Sequence, residues 1–132
     1  MNAAATGAYY KRRTKKWLES RGFAVAYMER IQWIPGKGGR PMIPVKHDQF
    51  GADLLAMNLS TIALVQVKFQ RTADSTAKAR RAFDKWPIPR FVQTWIVVWA
   101  PRQREPEVQS YVYSRRIAGM LAHAASKRGL DA

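Results

Sequence analysis

The stretch HDQFGADLLAMNLSTIALVQVKFQ, residues 47 to 70, carries side chains suited to phosphodiester chemistry. Asp48 and Asp53 stand just ahead of an apolar run, and Gln66 and Lys68 lie two apart in the next one. Cleaving a phosphodiester needs neutralisation of the phosphate by a metal ion, an activated water, and stabilisation of developing charge. Mg²⁺ takes oxygen ligands in an octahedron and keeps several waters, so one or two carboxylates plus a carbonyl suffice. A lysine alongside orients the attacking water or holds the phosphate. Acids are scarce on this chain, nine in all, yet two of them cluster here.

These side chains need two paired strands to bring them together. ADLLAMN and TIALVQVKF read as strands joined by a hairpin at Asn58 to Ser60. A tight turn there pairs them antiparallel and sets Asp53 opposite residues 65 to 67. Residues two apart share a face of a strand, so Asp53, Gln66 and Lys68 converge at one end of the sheet. Taken singly, an Asp opening a strand is commonly a turn residue, and a Gln and a Lys on a strand are commonly its solvent face. Here the run IALVQVKF is otherwise apolar, a costly place for polar groups without a purpose.

The other elements follow from periodicity. Residues 8 to 21 read as a helix with Tyr10, Thr14, Trp17, Leu18 and Arg21 on one stripe and Lys11, Arg12, Lys15, Lys16 and Glu19 on the other side. Gly22 is its stop. FAVAYMERIQWI reads as one strand, and PGKGGRPMIP, residues 35 to 44, as a mobile cationic loop. Asp74 or Ser75 caps a second helix over 76 to 85, with Ala79, Ala82, Phe83 and Trp86 at helical spacing. FVQTWIVVWA has the apolar character of a strand buried on both faces, VQSYVY is a short strand, and Ser114 caps a last helix followed by Gly129. The expected fold is α/β: one domain over residues 1 to 132, a mixed central sheet flanked by helices on both faces.

Composition bounds the partners. A length of 132 residues with 47% hydrophobic residues supports one core. The 23 Lys and Arg give a formal net charge of +14, which calls for a polyanion, nucleic acid first and an anionic membrane second. No apolar run approaches a membrane span. The N-terminus has no uncharged core followed by a cleavage site. Its basic, Ala-rich make-up would suit a transit peptide, but Trp17 and Leu18 lead straight into ESRGFAVAYM, which reads as domain. Without Cys, and with only His47 and His123, neither disulfides nor a zinc cage are expected. A cytoplasmic setting, or a host cytoplasm for a viral chain, is the default. Lys37, Arg40 and Lys46 in or beside the Gly-rich segment, and Lys78 and Arg81 on the second helix, join Lys11, Arg12, Lys15 and Lys16 as candidate DNA contacts. No helix-turn-helix, zinc-finger or ribonucleoprotein signature accompanies them, so recognition by shape is expected. Trp95, Trp99, Tyr111, Tyr113 and Met120 suit either a dimer face or the core, with the core preferred for the tryptophans.

The frame GADLLA followed by LVQVKF resembles the PD-(D/E)XK nuclease motif, an Asp followed one strand later by acid-x-Lys. More narrowly, GAYYKRRTKKWLESRGFAV with ADLLA and LVQVK resembles the archaeal-type Holliday junction resolvases over about residues 7 to 70. The resemblance implies a restriction-endonuclease-like core and a homodimeric endonuclease that uses Mg²⁺, with Mn²⁺ as a substitute. Such an enzyme nicks four-way DNA junctions at paired positions, in recombination and repair. It carries the family's Asp onto Asp53 and its Lys onto Lys68. Gln66 falls where the family has an acid, and Lys11 where it has a first-helix Glu. A Gln oxygen can ligate a hard cation without its charge, whereas an ammonium cannot ligate one. Asp48 is the candidate for the missing acid and Glu29 a second choice, with activity lost if neither serves. A catalytic set of Asp53, Gln66 and Lys68, and a metal set of Asp53, Gln66 and Asp48, are expected. A non-catalytic junction-binding module, or a nuclease for flaps or other DNA structures, are the alternatives.

Overall fold

The structure, a computed structural model, describes residues 3–69 and 73–111. Helix α1, Ala3–Ser20, forms because its apolar positions recur at helical spacing. It ends in a Schellman arrangement: Phe23 N–H donates to Leu18 C=O and Gly22 N–H to Glu19 C=O. Gly22 takes φ +91°, a conformation that an L side chain resists. Thr14 and Leu18 are buried. The Thr14 hydroxyl donates to Tyr10 C=O and accepts from the Trp99 indole N–H, which ties the helix to the sheet.

Five strands make a mixed sheet in the order β1-β4-β5-β6-β7: β1 Ala24–Tyr27, β4 Leu54–Met57, β5 Ile62–Phe69, β6 Val92–Trp99 and β7 Glu107–Ser110. Neighbours run antiparallel except β5 and β6, which are parallel and joined through α2, Ala73–Asp84. Parallel neighbours require such a crossover. Alternate residues of β5 face opposite sides. Val65 and Val67 pack with Leu18 of α1, Leu54, Val97 and Trp99, and Leu64 packs with Ala79 and Phe83 of α2, Ile96 and Val98. The sheet is therefore covered by α1 on one face and α2 on the other, the expected mixed α/β architecture. Full burial of each large aliphatic side chain in these layers stabilises by about 1.5–3 kcal/mol.

Two sequence expectations need correction. FAVAYMERIQWI is not one strand. It divides at Met28 into β1 and β2, Glu29–Ile34, and β2 leaves the main sheet to pair with β3, Ile43–Asp48, in a separate two-stranded arm. Residues 35–42 are consequently the connection of a hairpin, with a 3-10 turn at Lys37–Gly39, and Ile43 and Pro44 belong to a strand. Among the described residues the arm has no third strand, so Pro44 needs no second ladder partner there, and proline is tolerated at such an edge. The helix starting at Ala73 takes Asp74 and Ser75 into its first turn instead of leaving them ahead of it. The helix expected after Ser114, with Tyr113, Met120 and His123, lies outside the described residues. Trp99 is buried in the core, as preferred, and Trp95 packs against it. No described helix is long and apolar enough to cross a membrane.

Candidate metal centre

The site forms where the chain changes strand partners. Tyr27 pairs with Leu54 in the main sheet, and two residues later Glu29 pairs with Asp48 in the arm. Met28 bridges the split: its N–H donates to Asp53 C=O at 2.9 Å and its C=O accepts from Gln49 N–H at 3.2 Å. Between Gln49 and Ala52 the chain reverses through Phe50 and Gly51, both at positive φ, 55° and 71°. Two successive positive φ angles match the twist of the flanking strands, as in a type I′ hairpin turn. HDQFGAD thus folds back on itself with an acid on each arm of the turn.

Three carboxylates, on Glu29, Asp48 and Asp53, offer ligand oxygens that all lie within 4.8 Å of one another. Each stands one residue outside the split: Glu29 after Met28, Asp48 before Gln49, and Asp53 after Ala52. Both acids weighed for the place of the missing one therefore meet Asp53. Glu29 forms an ion pair with Lys11 of α1. The Lys11 ammonium also lies 3.5 Å from Asp53 Oδ1.

Asp53 is 3% exposed. Its Oδ2 accepts the Val67 N–H at 2.8 Å, and its own N–H donates to Val65 C=O at 2.8 Å. Burial pushes the carboxyl above its ordinary value of 3.8 against the pull of the Val67 N–H and of Lys11, with Asp48 adding to the rise and Lys68 opposing it. The charge of Lys68 therefore bears on Asp53. Leu54 opposite Val65 extends the register so that Asp53 falls across from Gln66. That is the relation the short hairpin implies. Gln66 and Lys68, alternating with Val65 and Val67, belong to the face that α2 covers, whereas the Asp53 carboxylate lies at the end of the sheet within reach of Lys11 of α1. Gln66 is also buried, and its Nε2 donates to Gly51 C=O. Its amide oxygen is the atom left for a cation. The three carboxylates form a hard-oxygen donor set, which fits a hard divalent cation and not a soft metal.

The remaining candidates lie further out. Arg12 and Lys16 are exposed on α1, and Lys15, half-buried, pairs with Glu19 one turn on. Lys37 and Arg40 are exposed in the connection of the arm, and Lys78 and Arg81 are exposed on α2. Lys46 belongs to β3, its side chain lying outside the described residues. His47 sits on β3 opposite Arg30. Two features escaped sequence reasoning. Lys11 was assigned to the solvent side of its helix, yet it is half-buried among the acids. Gly51, whose carbonyl anchors Gln66, shows in the sequence only as an FG pair ahead of an Asp.

Fold and site together define a strongly basic mixed α/β domain with a hard-oxygen cluster where the two sheets diverge. No protein-family model matches the chain, and neither does any curated protein sequence. Among solved structures, the chain is similar to Archaeoglobus fulgidus Hjc, a Holliday junction resolvase from an archaeal hyperthermophile solved at 1.6 Å. The match has 18% identity and a TM-score of 0.42, and covers 80% of this chain and 75% of that one.

Proposed function

We propose that this chain is a divalent-metal-dependent endonuclease for branched DNA, resolving four-way (Holliday) junctions by paired nicks as a homodimer. The observation that carries the reading is the meeting of Glu29, Asp48 and Asp53 beside Gln66 and Lys68 on a chain of net charge +14. Glu29, Asp48, Asp53 and the Gln66 carbonyl would hold Mg²⁺ or Mn²⁺. When bound, such an ion neutralises phosphate charge and lowers the pKa of a coordinated water.

The chain's own residues supply the rest. The buried Asp53 is held in place by the Val67 N–H. Gln66, anchored on Gly51, contributes an oxygen without charge, which lowers cation affinity relative to a carboxylate there. Lys68 serves to hold a phosphate oxygen or to orient the attacking water. Arg12, Lys16, Lys37, Arg40, Lys78 and Arg81 would contact phosphates without reading bases, which suits recognition of shape. The whole reading is of a single catalytic domain working in the cytoplasm of a cell or host.

The test is incubation of labelled four-way junctions with the protein and Mg²⁺ or Mn²⁺. Paired nicks that disappear with Asp53→Asn are expected; no nicks with either metal, and no effect of the substitution, would sink the proposal. A panel of flaps, splayed arms and linear duplexes separates junction resolution from cleavage of other structures. The second reading, a non-catalytic junction-binding module, draws on one observation: Lys11 already neutralises the acids a metal would need. It predicts junction binding that metal does not alter, and no cleavage.

A further inference from the structure

We propose that Lys11 is a resident cation of the acidic cluster, which a divalent ion displaces and which is thereby freed for the phosphate backbone of the nucleic acid. The inference rests on the metal-dependent reading above and adds a device particular to this chain.

Three carboxylates within 4.8 Å repel one another unless a positive charge stands among them. In the structure that charge comes from α1. The Lys11 ammonium pairs with Glu29 and lies 3.5 Å from Asp53 Oδ1, linking the first strand of the arm to the end of β4. Lys15, one turn further along α1, instead pairs within the helix with Glu19. Lys11 is thus drawn out of the helix's basic surface into the cluster. A divalent ion would call on two of the same carboxylates, Glu29 and Asp53. The ammonium sits against Glu29 Oε1 and Asp53 Oδ1, oxygens the ion would take, so entry of the ion requires departure of the ammonium.

Lys11 has somewhere to go. Its side chain is 23% exposed and sits on a flexible four-carbon stem, whereas Glu29 and Asp53, at 15% and 5%, are held more deeply. Arg12 and Lys16, its neighbours on α1, are exposed. Leaving the acids returns the ammonium to that basic helix surface, which suits a polyanion. Thermodynamic linkage then works both ways: the ion releases a phosphate contact, and a polyanion that engages Lys11 tightens the ion by the same factor. Metal and nucleic acid bind cooperatively without any change of fold.

The experiment titrates Mn²⁺ into DNA-free protein and reads free Mn²⁺ by electron paramagnetic resonance. Lys11→Met removes the competitor and should bind Mn²⁺ roughly tenfold tighter than wild type, or more. Lys11→Arg keeps the charge, and Lys85→Met removes an exposed charge that is not among those acting on Asp53. Both should stay within about twofold of wild type. In EDTA, Lys11→Met should melt below wild type, because Glu29 and Asp53 lose their counter-charge, and Mn²⁺ should restore most of the loss. Should that variant not fold, Lys11→Gln, which keeps an N–H donor facing the two acids, is titrated in its place with the same expectation. Unchanged or weaker Mn²⁺ binding by the neutral variant, no binding by any of the proteins, or an equal gain in Lys85→Met overturns the proposal. Because the readout needs no DNA and no turnover, its failure is distinct from an absence of junction cleavage.

Discussion

Replacing Asp53 by Asn should remove cleavage and yet make the ion-free protein more stable. The carboxyl is buried, and burial raises its pKa above 3.8 despite the Val67 N–H and the charges of Lys11 and Lys68. The folded state therefore binds the proton more tightly than the unfolded chain. Stability falls as pH rises from about 3.8 through the raised value, and the penalty is fully present above it. Each unit of upward shift corresponds to about 1.4 kcal/mol. Asn escapes the penalty. It keeps an oxygen for the Val67 N–H, and that bond, no longer charge-assisted, weakens by about 1 kcal/mol. Lys11 retains Glu29. Since burial outweighs all the opposing pulls in setting the direction of the shift, Asn should melt above wild type at pH 7, by about 4 °C for each kcal/mol of net gain. Thermal melts of both proteins in EDTA between pH 4 and 8 measure this. The gain should shrink as the pH falls toward 4, where Asp53 in the wild type becomes protonated. A variant that melts lower than wild type at neutral pH, or whose advantage grows on acidification, would refute the reasoning. It would mean that the ionised carboxylate is a net support of the fold.

Two other substitutions bear on the site. Asp48→Asn should reduce metal-dependent junction cleavage about as far as Asp53→Asn and leave junction affinity intact, as read by gel shift; full activity would shift the role onto Glu29. Gly51→Ala places a Cβ 2.5 Å from Ala82 C=O at φ +71°, so it should destabilise by about 3 kcal/mol, visible in urea unfolding, and disturb the turn that aligns Asp48 with Asp53. Wild-type stability in that variant would show that the turn has another conformation within reach.

Local rules carry far along this chain. The four-residue loop between Met57 and Ile62 is closed by Asn58, whose N–H donates to Thr61 C=O and whose side chain accepts from the N–H groups of Ser60 and Thr61. A short loop leaves one register, so the facing of Asp53 and Gln66 was legible before any coordinates. The α1 stripe, its stop at Gly22 and the β5–α2–β6 crossover were legible for the same reason: each depends on residues near one another in the chain. The division at Met28 was not. Nothing in FAVAYMERIQWI marks where pairing with β4 ends and pairing with β3 begins, because that is a competition between two distant partners. β3 itself was hidden by Pro44, which a short-range rule counts against a strand and an edge position excuses.

The amino-acid order by itself determined the charge, the α/β build with a helix on each face of the sheet and the β4–β5 register that sets Asp53 near Gln66, since periodicity and short loops act over a few residues. Only the tertiary structure decided that Lys11, Glu29 and Asp48 join them. Those three come from a helix and both strands of an arm, and they meet because one chain reversal at Phe50–Gly51 and one change of partner at Met28 occur at the same point in space.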